Sequence, residues 1–204
     1  MKKYFKYLII ITILLILQAL TYFVTKQLIH EYHIMKSFID VPLIKPFIYA
    51  YNSWYPFLVI STFLVFKYEN KLFRPLIYTI IFVDIMALIT FFIYPTEMVR
   101  PEIVVNDFTT WLIDFTYKSD TPAVNCLPSL HCILTFICIF YVMVSKNIKW
   151  YKKIILFIIA ALIVLSTVFI KQHIVEDIIL AFIYSVIGIF VIYKNRASFI
   201  RIIK

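Results

Sequence analysis

One glycine, Gly188, stands in 204 residues. A chain so poor in glycine cannot form a P-loop or the dinucleotide-binding turn, since both need backbone that approaches phosphate without a Cβ. Helix pairing through GxxxG is excluded as well, so helices must meet through larger side chains. Charge is scarce: 15% of residues are charged, against about 25% in soluble domains. Cysteine is limited to Cys126, Cys132 and Cys138, an odd number without metal-ligand spacing. Cys132 and Cys138 fall in an apolar run and are expected to be small apolar filler. Cys126 is expected near the outer surface as a free thiol.

What is abundant is hydrocarbon. Apolar residues make up 63% of the chain, and the mean hydropathy is +0.94. Six runs reach the roughly 17–25 residues that a bilayer crossing needs: 7–24, 47–66, 75–94, 127–145, 154–170 and 174–193. They predict an all-α protein, an integral membrane six-helix bundle in one domain over 1–204, with short interfacial helices in the extracytoplasmic loops. The first run follows Lys2, Lys3 and Lys6, but it is too long for a signal h-region. Thr25-Lys26-Gln27 behind it is no cleavage site, so it is expected to stay as an anchor.

The net charge of +9 is unevenly placed. Fourteen Lys and Arg fall in the termini and the 67–74 and 146–153 loops. Six fall in the alternate segments, at Lys26, Lys36, Lys45, Arg100, Lys118 and Lys171. This bias places both termini in the cytoplasm, in what is expected to be a bacterial cell membrane. The basic excess is then an orientation and headgroup signal, and no nucleic-acid partner is expected. Of eleven acidic residues only Glu69 lies in a cytoplasmic loop.

The extracytoplasmic segments are patterned. Val104, Phe108, Trp111, Leu112 and Phe115 recur at helical spacing opposite Asn106, Asp107, Thr110 and Asp114, which predicts an amphipathic interfacial helix. A weaker amphipathic stretch surrounds Tyr32, Ile34, Met35 and Phe38. Tyr49, Tyr51, Trp54 and Tyr55 read as an interfacial aromatic belt. Pro56 is expected to kink the second span, and Pro75 to open the third.

Two polar clusters interrupt the apolar runs on this same side. His173 and Asp177, spaced i, i+4, are expected on one helix face, the carboxylate holding one imidazole nitrogen so that the other is a nucleophile or base. Ser129 and His131 are placed in the first turn of the fourth span, after Pro128, where backbone N–H groups favour an anion. Arg100 offers a planar fork for phosphate oxygens, and Lys171 a second cation. Stray ionisable groups are costly in an apolar chain, so their convergence points to phosphoryl transfer by a histidine nucleophile. Asp84, mid-span, is expected to face the bundle interior.

The order Arg-Pro, Pro-Ser-x-His and His-x-x-x-Asp resembles the phosphatidic-acid phosphatase type 2 and vanadium-haloperoxidase superfamily, over about residues 40–195. The resemblance implies His173 as nucleophile, Asp177 as its orienter and His131 as general acid. It implies Arg100, Ser129 and Lys171 as phosphate-binding groups, with no metal and no cofactor. The family's lysine before Arg-Pro is here Ile93, its Ser-Arg is Ser166-Thr167, and Leu130 replaces a glycine. Asn125-Cys126-Leu127-Pro128-Ser129-Leu130-His131 and the Asp40-Val41-Pro42…Tyr51-Asn52-Ser53-Trp54-Tyr55-Pro56 stretch look like the inositolphosphorylceramide-synthase branch, which moves a headgroup to another alcohol.

A metal-independent lipid-phosphate phosphatase or phosphotransferase, acting at the extracytoplasmic face, is the expected function. Its partners are the membrane and a lipid phosphate; the lipid, the acceptor and the oligomeric state stay open. A headgroup transferase is the alternative, and a non-enzymatic transport or assembly subunit the reading from another class. Transport sites lie near the bilayer midplane, a depth that only Asp84 has.

Overall fold

The computed structural model describes residues 2–195. Met1 and residues 196–204 lie outside the described set, as do the side chains of residues 2–4 and 6. Of the orientation-setting cations, Arg196, Arg201 and Lys204 are therefore outside it, and so are the side chains of Lys2, Lys3 and Lys6.

Uniform apolarity makes helices, and helices dominate. In chain order they are α1 (Lys2–Leu28), α2 (Phe47–Asn52), α3 (Trp54–Tyr68), α4 (Asn70–Ile93), α5 (Phe108–Ser119), α6 (Leu130–Val144), α7 (Trp150–Phe169) and α8 (Val175–Lys194). Two three-residue strands, β1 (His33–Met35) and β2 (Thr96–Met98), pair in parallel. Among the described residues α1, α4, α7 and α8 are long and apolar enough to cross a membrane, which fits an integral membrane protein.

The six apolar runs are not six uninterrupted helices. The second is broken at Ser53 into α2 and α3. Pro56 lies one turn into α3, and its ring cannot share a helix with the carbonyl of Asn52. α6 has only 15 residues, about 22 Å, because helix starts at Leu130 and not at 127. Pro75 sits inside α4 rather than opening it, as the helix begins at Asn70. The stretch expected to be weakly amphipathic around Ile34 and Met35 is the β1 strand instead.

α6 is the axis of the bundle. Its sequence is apolar on nearly every face, as a helix surrounded by others must be, and α3, α4, α7 and α8 all pack on it. α8 comes closest to α4 at Gly188, where an added Cβ would overlap the Val83 side chain. α1 is the outer wall. It is held by Tyr7, whose hydroxyl donates to Val59 O at 3.0 Å, and by Gln18, whose amide donates to Asp84 Oδ1 at 3.4 Å.

The segments 29–46, 94–129 and 170–174 converge over one end, while the α3–α4 and α6–α7 links meet each other through Asn147 and Glu69. α5 starts at the Asp107 cap, which accepts from Thr110 N at 2.7 Å, while Thr110 Oγ1 accepts from Asp107 N. Thr110, Ile113 and Tyr117 form its buried face. Phe108, Trp111 and Phe115 stack along its exposed face at 5.5 and 5.6 Å. This is the aromatic half of the expected amphipathic helix. Thr96 stitches the 125–127 segment to β2, accepting on Oγ1 from Cys126 N and Leu127 N.

Candidate active site

α7 ends in a turn that presents the next residues. Lys171 takes φ of 53°, its N–H bonds Val168 O, and Gln172 N bonds Thr167 O at 2.9 Å. These two bonds close the helix as a Schellman motif. His173 N bonds the same Thr167 carbonyl at 2.9 Å. Gln172 and His173 are thereby fixed on one acceptor.

Asp177 lies in the first turn of α8 and is fully buried. Its Oδ2 accepts from Ile174 N at 3.2 Å and lies 3.0 Å from His173 Nδ1. The carboxylate thus caps α8 and holds the imidazole with one oxygen. The i, i+4 spacing works, but by capping rather than by a shared helix face, because His173 precedes the helix. An imidazole held at Nδ1 presents Nε2.

Across from it stands His131, the second residue of α6, with ring centroids 6.1 Å apart. Ser129 is the N-cap, its Oγ accepting from Cys132 N at 3.3 Å. Ser129 N reaches Asp177 O at 3.5 Å, which ties the two helix starts together. His131 is stacked on Tyr51 at 4.8 Å and lies tilted against Trp54 at 4.3 Å, and Trp54 Nε1 donates to His131 O. Tyr51 and Trp54 are therefore buried partners of a site histidine, not belt residues. Tyr49 and Tyr55 are exposed.

Arg100 enters from the loop after β2, with its side chain 9% exposed. Its Nη2 pairs with Asp120 Oδ2 and donates to Gln172 Oε1 at 2.6 Å, and Nη1 donates to Asp120 O at 3.0 Å. The guanidinium lies 5.1 Å from the Tyr117 ring centre. Burial pushes the Tyr117 hydroxyl up to about 12, so it stays a donor, to Ile170 O at 2.7 Å. Arg100 Nε, Gln172 Nε2 and Asp177 Oδ1 are buried and have no partner among the described residues. Unmatched buried polar atoms are costly, and an arriving phosphate is one way to satisfy the two donors.

Beside these groups is a cavity of about 510 Å³. His131, His173, Gln172 and Asp120 face it, with Tyr51, Trp54 and Asn125 in its wall and α1 on the far side. Arg100 and Ser129 lie behind that wall rather than in it, and Lys171 is not in it either. The left-handed turn directs its Nζ to Asp40 Oδ1, 3.3 Å away. Ile93 is exposed and is not in the cavity wall, and Thr167 is buried with its hydroxyl on Val164 O. Neither supplies a charge where the resemblance leads one to expect it.

A family model described as the PAP2 superfamily matches residues 72–201, most of the chain. The chain belongs to that superfamily. No curated protein matches it, and no solved structure does. Members of the PAP2 superfamily are phosphatases and related phosphoryl-transfer enzymes, which supports a phosphatase-type enzyme here. The match takes in Arg100, Ser129, His131, His173 and Asp177, so the Arg-Pro, Pro-Ser-x-His and His-x-x-x-Asp motifs all fall inside it, and the 40–56 stretch likened to the synthase branch does not.

Sequence reasoning missed Gln172 and Asp120, the two side chains that hold Arg100. The one signal for Gln172 was its position directly before His173; for Asp120 there was none. Cys126 is free as expected, but it is 2% exposed, with burial pushing its thiol well above the usual range. Asp84 does face the bundle interior, where Gln18 bonds one oxygen and the other has no partner among the described residues. Among the described residues no group of three His, Cys, Asp or Glu comes together as a metal cluster.

Proposed function

We propose that this PAP2 chain is a lipid-phosphate phosphatase or phosphotransferase that works through a phosphohistidine. The observation that carries it is the buried His173–Asp177 pair at 3.0 Å facing His131 across the cavity. His173 Nε2 attacks phosphorus, and Asp177 stabilises the imidazolium through Nδ1–H. The bond to the lipid oxygen breaks, and His131 gives that oxygen its proton. In the second half His131 takes a proton from the acceptor hydroxyl, which displaces the phosphoryl group from nitrogen.

Arg100, Gln172 Nε2 and the Ser129 hydroxyl hold the phosphate oxygens. Lys171 contributes from a distance, as part of the positive rim with Asp40 as its counter-ion. Metal independence belongs to this reading: histidine and cations do what a divalent ion would otherwise do.

We place the site at the extracytoplasmic face of a bacterial cell membrane, in a single six-span domain with both termini inside. In this arrangement α2 with α3 and the short α6 complete the crossings of the other four helices. An alcohol acceptor, as in the inositolphosphorylceramide-synthase branch, is favoured by one observation. The cavity is far larger than a phosphate needs, and the aromatic stretch shared with that branch forms part of its wall.

Purified protein is offered radiolabelled lipid phosphates with and without a lipid alcohol, then quenched in alkali. An alkali-stable phosphoenzyme that vanishes in His173→Ala, with turnover unaffected by chelator and blocked by vanadate, is expected. A phosphoenzyme retained in His173→Ala, or activity that depends on an added divalent ion, would refute the mechanism. The labelled product identifies the acceptor.

A further inference from the structure

The space beside the histidines does not end at them. A second, apolar crevice of about 110 Å³ adjoins the cavity, and Leu15, Gln18 and Tyr55 belong to both walls. Three helices step from one space to the other in the same direction. On α3 the wall passes from Trp54 to Thr62, and on α6 from His131 to Cys138. On α1 it runs from Gln18 back to Ile11, about 10 Å along the helix. The crevice therefore leads away from the site end into the depth of the bundle.

Two of its polar side chains, Thr62 and Gln18, are already engaged. Thr62 Oγ1 donates to Leu58 O at 2.6 Å and shares a hydrogen bond with Tyr7 OH. The Gln18 amide is turned to Asp84. Water finds few partners there, so the crevice suits hydrocarbon. Its place beside the cavity proposed for phosphoryl transfer, across the shared Leu15, Gln18 and Tyr55, selects the hydrocarbon that is joined to a phosphate.

We propose that this crevice, between α1 and the α3–α6 wall, seats the acyl or prenyl chain of the lipid whose phosphate lies between His131 and His173. The proposal rests on the lipid-phosphate reading above and adds the chain's path through the protein. Gln18, anchored by Asp84, marks the depth at which the lipid's polar linkage gives way to chain. That gives the mid-span carboxyl a positioning role at the substrate channel.

Val59→Trp and Ile11→Trp narrow the crevice without touching the cavity wall. Full-length protein in mixed micelles is assayed with a long-chain phosphatidate and with a chainless aryl phosphate. KM for the long-chain lipid is expected to rise about tenfold or more, with the aryl phosphate within about twofold of the unaltered protein. Equal losses on both substrates, or no change on the long-chain lipid, would overturn the proposal. Wild-type protein is also photolabelled with a lipid phosphate carrying a diazirine on its chain. Label at residues 11–18 and 58–62 supports the crevice, and label confined to the outward faces of α7 and α8 overturns it. If the wild type turned over no phosphate ester, the enzymatic reading would fall, and the photolabel alone would still decide the path of the chain.

Discussion

At the scale of single residues the proposed mechanism divides the site into groups that do chemistry and groups that hold charge in place. His131 stands for the first. His131→Ala loses general-acid help worth about 10²–10⁴-fold on ordinary lipid phosphates. An aryl phosphate with a good leaving group should recover much of that rate, whereas His173→Ala should stay inactive on both substrates. Equal rescue of the two variants would undo the division of roles. Gln172 stands for the second group. Removing its amide leaves Arg100 held by Asp120 and Tyr117, so Gln172→Leu should lower kcat/KM about 10- to 100-fold, most of it in KM. A purely structural role would instead lower stability and leave KM unchanged. That the histidines, Asp177 and Arg100 gather at one end was legible because titratable groups are conspicuous in an apolar chain. Gln172 and Asp120 were not, because an amide and a loop carboxylate look ordinary until folding brings them to an arginine 72 and 20 positions away. Lys171 misled in the other direction: its charge was visible, but its left-handed backbone was not.

At the scale of elements, apolar runs located the helices, and the breaks between them followed local chemistry that the runs hide. Pro56 separates α2 from α3, and the Ser129 cap sets the start of α6. The β1–β2 pair was illegible, since three residues are too few for an alternating pattern and their pairing spans 63 positions. The lone glycine proved informative in a way its rarity alone did not reveal. Gly188→Ala forces a methyl group into Val83 and should destabilise the fold by about 1–3 kcal/mol, read as a lower Tm in detergent. Adding Val83→Ala should recover part of the loss, because the overlap is with that side chain. A single variant as stable as the parent would mean that α4 and α8 are not in close contact there.

At the scale of the whole molecule, the proposed orientation can be tested from outside the cell. All three native cysteines are buried, so they make a poor reporter and are best replaced by serine. A Glu102→Cys substitution in that background sits on the exposed loop before α5. It should react with an impermeant thiol reagent in intact cells. Reaction only after the membrane is opened would turn the molecule over and move the site to the cytoplasmic side.

α5 has two faces with different attachments. Phe108, Trp111 and Phe115 point outward as a stacked aromatic strip, while Tyr117 on the other face is bonded to the end of α7 and lies against Arg100. In the proposed orientation that strip rests at the level of the lipid headgroups, so the height of the bilayer surface is passed through one helix to the guanidinium. A thicker or thinner bilayer would press on this helix, whose inner face is bonded to the end of α7. The rate of phosphoryl transfer should then depend on the acyl length of the surrounding lipids even when the substrate is held constant, which makes membrane thickness an input to catalysis.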